Sequence, residues 1–217
     1  MSADTNPTPA VPRKRIRKRL WIPSVLLLVL VLAGLGFYVR GTWADTQERD
    51  PASVADGTVT QLLRKPDGAL LIRCAIRIKA TPKQVWAVVT DYNTHNDFIP
   101  YASKVTAAHD PDGRWHVAGV AHSRIWGDWP FDTHVVHVED QAKQEYHTAW
   151  DEKNDGLIAL NRGGWRLSPV GDGETLLVYT LQVEVPQYPA FVLRNIVMDR
   201  LHSVLKAVRA ETQRRGA

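Results

Sequence analysis

Four histidines in segments with strand-like alternation are the first candidates for binding a metal or moving a proton. His134 and His137 are three residues apart, so on a strand their side chains point to opposite faces and cannot form a metal-binding pair. His116 and His122 share a face, but at about 3.3 Å per residue they lie about 20 Å apart. Neither spacing predicts a zinc site, and we predict no bound metal and no cofactor.

Acid and base pairs are the second kind of candidate. Asp132, Asp151 and Arg124 lie on or beside predicted strands, where they could meet in an interior cavity and transfer a proton. Charged side chains on strands more often face solvent or form ion pairs. The sequence also contains no GxSxG, HExxH, P-loop or GxGxxG motif. We therefore assign no catalytic residue and keep an enzymatic activity as an alternative.

Residues 20–39 are an uncharged apolar run that directly follows a basic cluster. At about 1.5 Å per residue, a helix of this length covers roughly 30 Å, the thickness of the hydrocarbon core of a bilayer. Basic residues that flank a span stay on the cytoplasmic side. The pattern predicts a single-pass inner-membrane protein with a cytoplasmic N-terminus and an exported, periplasmic C-terminal domain. The basic residues are Arg13, Lys14, Arg15, Arg17, Lys18 and Arg19.

A cleaved signal peptide is the main alternative to this transmembrane helix. It would also have a basic segment before an apolar one, and Thr42-Trp43-Ala44 resembles a small-residue cleavage site. The apolar core of a signal peptide usually has about 7 to 15 residues, which is shorter than this run. The length therefore favours a retained helix, while retention and cleavage both stay open. A buried helix of a globular domain is disfavoured by the high hydrophobicity.

The segment boundaries follow from changes in composition. We predict a basic tail at 1–19, the transmembrane helix at 20–39, a polar linker at 40–57 and a single domain at 58–217. Six of the 27 basic side chains and one of the 23 acidic ones lie in the tail, so the rest has a net charge of about −1. A nucleic-acid-binding domain is expected to show a basic patch or stripe. We therefore predict no nucleic-acid partner.

The order of predicted elements is one strand, two helices, six strands and a long helix. Alternating apolar residues predict a half-buried strand at 69–79, in which the single cysteine, Cys74, faces the interior. Thr81-Pro82-Lys83-Gln84 is a capping box with proline at the first helical position, so a helix must start there. A short helix at about 94–98 follows. Six strands are predicted at 104–108, 115–126, 131–138, 145–150, 157–167 and 175–185.

The last predicted element is a long helix that runs to about Arg214. It carries an apolar stripe that requires a sheet to pack against. The stripe consists of Leu193, Val197, Leu201, Val204, Leu205 and Val208.

Three stretches and this order of elements resemble the START-like helix-grip superfamily (SRPBCC), which includes polyketide cyclase/dehydrase, lipid-transport and coenzyme Q-binding-like proteins. The stretches are IKATPKQVWAVVTDYNTHNDFIPYASKV (78–105), GGWRLSPVGDGETLLVYTLQVEV (163–185) and PAFVLRNIVMDRLHSVLKAVRAET (189–212). The resemblance covers about residues 69–212. It implies an α+β fold in which a curved antiparallel sheet packs on the long C-terminal helix, here preceded by one transmembrane helix.

The resemblance also implies a cavity between the sheet and the last helix, which suits an apolar ligand. We therefore expect binding or transport of a hydrophobic lipid-like or isoprenoid ligand without chemistry. The candidate ligand-binding residues are Phe98, Trp126, Phe131, Trp150, Trp165, Tyr179, Met198 and Leu201. Plain core packing explains each of them equally well, because aromatic side chains dominate cores. The alternatives are a cyclase or dehydrase type of enzyme and a protein-interaction module with a vestigial cavity.

Overall fold

The computed structural model describes residues 27–32, 49–53, 58–65, 69–123, 127–153, 158–171, 173–186 and 190–216. The chain divides into two compact units, Met1–Ala44 and Asp45–Ala217. In the first unit, residues 27–32 are helical and their apolar side chains are exposed. No helix within the described residues has both the length and the apolarity needed to cross a bilayer. Most of the predicted span and linker and all of the basic tail lie outside the described residues, so the four-segment organisation stays a prediction.

Eight strands form one antiparallel sheet in the second unit. Its order is β1-β2-β8-β7-β6-β5-β4-β3, so the helices after β2 carry the chain from one edge region to the opposite edge. The strands are β1 (Thr58–Arg64), β2 (Leu70–Ile78), β3 (Ala102–His109), β4 (Trp115–Ser123), β5 (Gly127–Asp140), β6 (Glu145–Lys153), β7 (Leu160–Pro169) and β8 (Thr175–Glu184).

Three helices complete the described part of the second unit. They are α1 (Pro82–Val89), the short α2 (His95–Phe98) and the long α3 (Ala190–Gly216), with 3-10 turns at Pro51–Ser53 and Tyr92–Thr94. The predicted start of α1 is confirmed. Thr81 Oγ1 accepts a hydrogen bond from Gln84 N at 3.4 Å, and Gln84 Oε1 accepts one from Thr81 N at 2.9 Å. This reciprocal pair satisfies two backbone donors that a helix start otherwise leaves unpaired.

Two features interrupt the regular pairing of the sheet. The long strand β5 pairs with β4 through residues 127–135 and with β6 through residues 136–140, so it belongs to two ladders that diverge. The ladder between β6 and β7 is interrupted at Gly164, where Thr148 Oγ1 accepts a hydrogen bond from Trp165 N at 3.1 Å. A Cβ atom on Gly164 would lie 2.1 Å from the carbonyl oxygen of Thr148, so only glycine permits this close approach.

The main core lies between β2, α1 and the C-terminal half of α3. The β2 side chains at Ile72, Cys74, Ile76 and Ile78 are fully buried, as their alternation predicts. Burial raises the pKa of the Cys74 thiol to about 11, so the thiol stays protonated at neutral pH. The apolar stripe of α3 is confirmed wherever its side chains are described. Val197, Leu201, Leu205 and Val208 are buried and Val204 is partly buried.

The predicted α+β helix-grip architecture is confirmed, with one strand more than predicted. Strand β1 was not predicted, because a register shift between Val59 and Gln61 interrupts the two-residue period by which a strand is recognised in sequence. The other strands lie where the alternation places them, with ends that differ by a few residues. The largest extension is β5, which begins at Gly127 instead of Phe131.

Candidate ligand-binding cavity

A cavity of about 320 Å³ lies between the inner face of the sheet and the middle of α3. Its lining is mainly aliphatic and aromatic, and Arg200 is the one formally charged side chain among the described residues that line it. Such a lining suits an apolar ligand. The aromatic residues are Tyr92, Tyr101, Trp129, Phe131, Trp150, Trp165 and Tyr179.

Two glycines allow aromatic rings of the cavity wall to approach the strands closely. A Cβ atom on Gly119 would lie 2.7 Å from Cζ of Phe131, and one on Gly163 would lie 2.7 Å from Cζ2 of Trp150. Both distances are far shorter than a van der Waals contact. Each aromatic ring can therefore approach its strand this closely only because the facing residue has no side chain.

Hydrogen bonds and ring contacts hold the tryptophans of the wall in place. Trp150 Nε1 donates to Oδ1 of Asn161 at 3.0 Å. The ring of Tyr179 lies 4.3 Å from that of Trp165 and 5.9 Å from that of Trp150, measured between centroids. These contacts fix the orientation of three large rings and so preserve the shape of the cavity. Burial raises the pKa of the Tyr179 phenol, so it is neutral at physiological pH.

Tyr92, which lines the cavity, pairs with His137 of β5, which does not. The Tyr92 hydroxyl lies 2.6 Å from Nε2 of His137. Burial lowers the pKa of His137 and raises that of Tyr92, so both groups are neutral at pH 7 and the phenol donates to the imidazole. His95 also lines the cavity, and burial lowers its pKa as well. Its Nε2 lies 3.1 Å from the carbonyl oxygen of Val89.

Arg200 of α3 lies at the end of the cavity near the exposed Tyr101. Its guanidinium carbon is 5.3 Å from the centre of the Tyr101 ring and 5.8 Å from that of Trp129. Its Nη2 donates a hydrogen bond to the backbone oxygen of His122. The cation–π contacts and this hydrogen bond attach the middle of α3 to strands β4 and β5.

Five of the eight predicted ligand-binding residues line the cavity, namely Phe131, Trp150, Trp165, Tyr179 and Leu201. Phe98 is partly buried against the main core and is not part of the lining. Trp126 lies outside the described residues. Met198 belongs to α3, but its side chain is outside the described set. That these residues contact a ligand stays a prediction.

Sequence reasoning missed several residues of the lining. Trp129 was missed because the predicted strand began at Phe131, and Asn161 was missed because its side chain is not apolar, although each alternates with a residue that was selected. Trp129 is two residues before Phe131, and Asn161 is four before Trp165, so period-two counting would have found both. Tyr92 and Arg200 required the tertiary structure, because they approach the sheet from helical segments.

The two charged candidates for catalysis that the structure describes, Asp132 and Asp151, do not line the cavity. Asp132 is exposed and contacts Nε2 of His116, and Asp151 is exposed and forms an ion pair with Arg162 at 2.7 Å. The rings of His116 and His134 stack 5.0 Å apart on neighbouring strands, a proximity that counting along one strand did not reveal. Arg124 lies outside the described residues. These pairs are the ion pairs and solvated faces expected of charged side chains on strands.

Ser103, His122 and Asp128 have the connectivity of a serine-hydrolase triad. Ser103 Oγ lies 2.5 Å from Nε2 of His122, and Asp128 Oδ1 lies 2.7 Å from its Nδ1. Each of the three is adjacent in sequence to a residue that lines the cavity, so their side chains lie on the opposite face of the sheet. We therefore assign them no role in ligand chemistry.

A second hollow, of about 510 Å³, lies on the outer face of the sheet over β2, β6, β7 and β8. This hollow is larger than the cavity under α3. Its lining includes polar and charged side chains, among them His147, Arg162, Arg166 and Gln182. Among the described residues, only strands contribute to its lining. The smaller cavity under α3 is therefore the better candidate for an apolar ligand.

Comparison with known proteins supports the helix-grip fold described above. A family profile described as "Polyketide cyclase / dehydrase and lipid transport" matches residues 72–213. No curated protein sequence matches the chain.

Several solved structures are similar. Human StAR-related lipid transfer protein 5 is 13% identical with a TM-score of 0.63, covering 89% of this chain and 98% of that one. A START superfamily protein from Mycobacterium smegmatis is 18% identical with a TM-score of 0.55, covering 66% and 97%. The Zhui aromatase/cyclase from Streptomyces sp. R1128 is 19% identical with a TM-score of 0.53, covering 69% and 96%. At these identities the likeness shows the fold alone.

Proposed function

Because the chain belongs to the polyketide cyclase/dehydrase and lipid-transport family, we propose that its C-terminal domain binds or transports a hydrophobic, lipid-like or isoprenoid ligand. The observation that carries the proposal is the cavity under α3. A domain of this size normally fills the space between a sheet and its helix with side chains at crystal-like density. Here about 320 Å³ is left open, and its walls are apolar and aromatic.

We further propose that residues 20–39 anchor this domain to the inner membrane, with the domain on the exported side. The support is the sequence: an uncharged run long enough to span, preceded by six basic residues. A reporter enzyme fused at Ala217 should be active on the exported side. Replacing all six basic residues by glutamine should scramble that orientation, and strong cytoplasmic activity of the unaltered fusion would contradict the proposal.

Ligand binding can be tested with the full chain in lipid nanodiscs and a photoreactive long-chain alcohol that carries a diazirine and an alkyne. We expect crosslinks in peptides that contain Phe131, Trp150 or Trp165, because these rings line the cavity. Leu201→Trp should abolish the crosslinks at little cost in stability, since Leu201 borders open space. Lys206→Trp is the matched control on the same helix, because Lys206 is exposed.

The results distinguish a ligand-binding domain from a protein-interaction module. If the wild-type cavity peptides are not labelled, and Leu201→Trp destabilises the domain by the roughly 1–3 kcal/mol typical of an overpacked core, the binding proposal is wrong. A protein-interaction module would then be the better description. Loss of labelling in Leu201→Trp with unchanged labelling in Lys206→Trp would support a ligand cavity.

A cyclase type of activity is the second candidate, and His95 is the observation that favours it. An enzyme of this type needs a polar proton donor or acceptor in the cavity. His95 lines the cavity, and its lowered pKa keeps the imidazole neutral, as a general base must be. If a ligand recovered from the protein is converted on incubation, His95→Ala should stop the conversion while labelling by the photoreactive alcohol continues.

A further inference from the structure

Two tyrosines line the cavity, and they differ in how their hydroxyl groups are satisfied. The Tyr92 hydroxyl pairs with Nε2 of His137 at 2.6 Å. The Tyr179 ring contacts Trp150 and Trp165, but no described residue forms a hydrogen bond with its hydroxyl. This phenol is buried deeply enough to raise its pKa, yet it borders the cavity. It is therefore a hydrogen-bonding group that the described part of the chain leaves to whatever fills the cavity.

The side-chain NH₂ group of Asn161 is a second hydrogen-bonding group of this kind. Its Oδ1 accepts the hydrogen bond from Trp150 Nε1 at 3.0 Å. An indole nitrogen can only donate, so the amide oxygen must face Trp150 and the NH₂ group must face elsewhere. No described residue accepts a hydrogen bond from this NH₂ group, and Asn161 lines the cavity.

Tyr179 and Asn161 lie on one wall, because both face inward from the paired strands β7 and β8. Asn161 pairs with Val183, four residues beyond Tyr179, which is an offset of roughly 13 Å along the ladder. Water can satisfy both groups in the empty cavity. A ligand that displaces this water without replacing its hydrogen bonds loses affinity, whereas a ligand oxygen at the same place restores them.

We propose that the cavity selects apolar molecules that carry an uncharged oxygen, as a ketone or a hydroxyl, over hydrocarbons of the same length, through Tyr179 and Asn161. The inference rests on the proposed ligand-binding function and deepens it. A ketone oxygen accepts from either the phenol or the amide, and a hydroxyl does the same while also donating to the phenol oxygen. A plain hydrocarbon leaves both groups unpaired.

The test uses the full chain in nanodiscs, labelled with the photoreactive alcohol in competition with tridecane or 2-tridecanone. The two competitors have equal carbon number, and their partition into the lipid is the same for every variant. The ratio of their inhibitory concentrations can therefore be compared between variants. The variants are Tyr179→Phe, which keeps the ring, Asn161→Asp, which keeps an acceptor for Trp150, and the double variant. Tyr146→Phe is the matched control, because it removes a tyrosine hydroxyl from the main core at a residue that does not line the cavity.

For the wild type we expect 2-tridecanone to compete about fivefold better than tridecane, the usual effect of one neutral hydrogen bond. Each single variant should reduce this preference, the double variant should abolish it, and Tyr146→Phe should retain it. Equal competition in the wild type, or a preference that survives in the double variant, overturns the inference while the labelling still supports a ligand cavity. Absence of cavity labelling overturns both the inference and the proposed function.

Discussion

The middle and the C-terminal half of α3 belong to one continuous helix and border one hydrophobic cluster, but the space beside them is filled to different extents. In the C-terminal half, Leu205 and Val208 are almost completely buried in the same cluster as Ile76 and Val85. In the middle of the helix, Leu201 and Val204 face the cavity. The apolar stripe continues through both parts of the helix, so the difference in filling comes from the residues that face it. Branched aliphatic side chains of β2 and α1 fill the space beside the C-terminal half of α3, and we call this region of the domain the filled half. Aromatic rings held close to the strands leave space beside the middle of α3, and we call this region the open half.

The largest expected effect compares the same truncation in the two halves. Leu205→Ala should destabilise the domain by about 2–5 kcal/mol, because it leaves a new void in a filled core. Leu201→Ala should cost clearly less, since its side chain already borders open space and has fewer contacts to lose. Denaturant unfolding measures both. Equal losses would show that the cavity is closed by packing in solution.

A smaller effect is expected for Gly119→Ala, which tests how the open half is kept open. The new methyl group would meet the Phe131 ring at 2.7 Å, so the ring must move toward the cavity. We expect a loss of about 1–3 kcal/mol, as for overpacking, together with weaker labelling by the photoreactive alcohol. Adding Phe131→Leu should relieve the contact and recover most of the stability. If Gly119→Ala is neutral, the ring does not need the glycine.

Thr81→Ala tests the helix start that borders the filled half. Loss of the cap should cost about 1 kcal/mol, within the usual 0.5–2 kcal/mol. Thr81→Ser keeps a hydroxyl at the cap and should remain close to the wild type in the same unfolding measurement. A wild-type midpoint for Thr81→Ala would mean that the capping box adds nothing to the stability of this half.

The smallest effect concerns the C-terminal end of α3 and depends on pH. Hydrogen bonds from Arg214 and Arg215 lower the pKa of Glu211 from 4.5 to about 2. Stability from a lowered carboxyl pKa is present above the unfolded value and is lost as the pH falls through the folded value. The difference in Tm between wild type and Glu211→Gln should therefore be constant above about pH 5 and shrink toward pH 2. A pH-independent difference would exclude this role of the charge.

Sequence patterns predicted the filled half better than the open half. The alternation of Ile72, Ile76 and Ile78 and the capping box at Thr81 are local signals, and the structure confirms them. The cavity depends on contacts between distant segments, such as the Phe131 ring over Gly119 and the approach of Tyr92 from a turn. Five of the predicted cavity residues could be selected because they are aromatic or belong to the apolar stripe. Asn161 could have been placed on the same face by its spacing from Trp165, but nothing in its local sequence shows which of its amide atoms is already paired.

The cavity in the open half of the domain should also affect the volume change of unfolding, which can be measured under pressure. Unfolding under pressure proceeds because the voids of the folded state disappear, and the volume change scales with the void space that is eliminated. Any part of the roughly 320 Å³ that water does not fill should therefore make the domain yield to hydrostatic pressure more readily than a solid domain of the same stability. Any molecule that occupies the space should raise the pressure of unfolding by reducing that volume change, in addition to raising it through binding free energy.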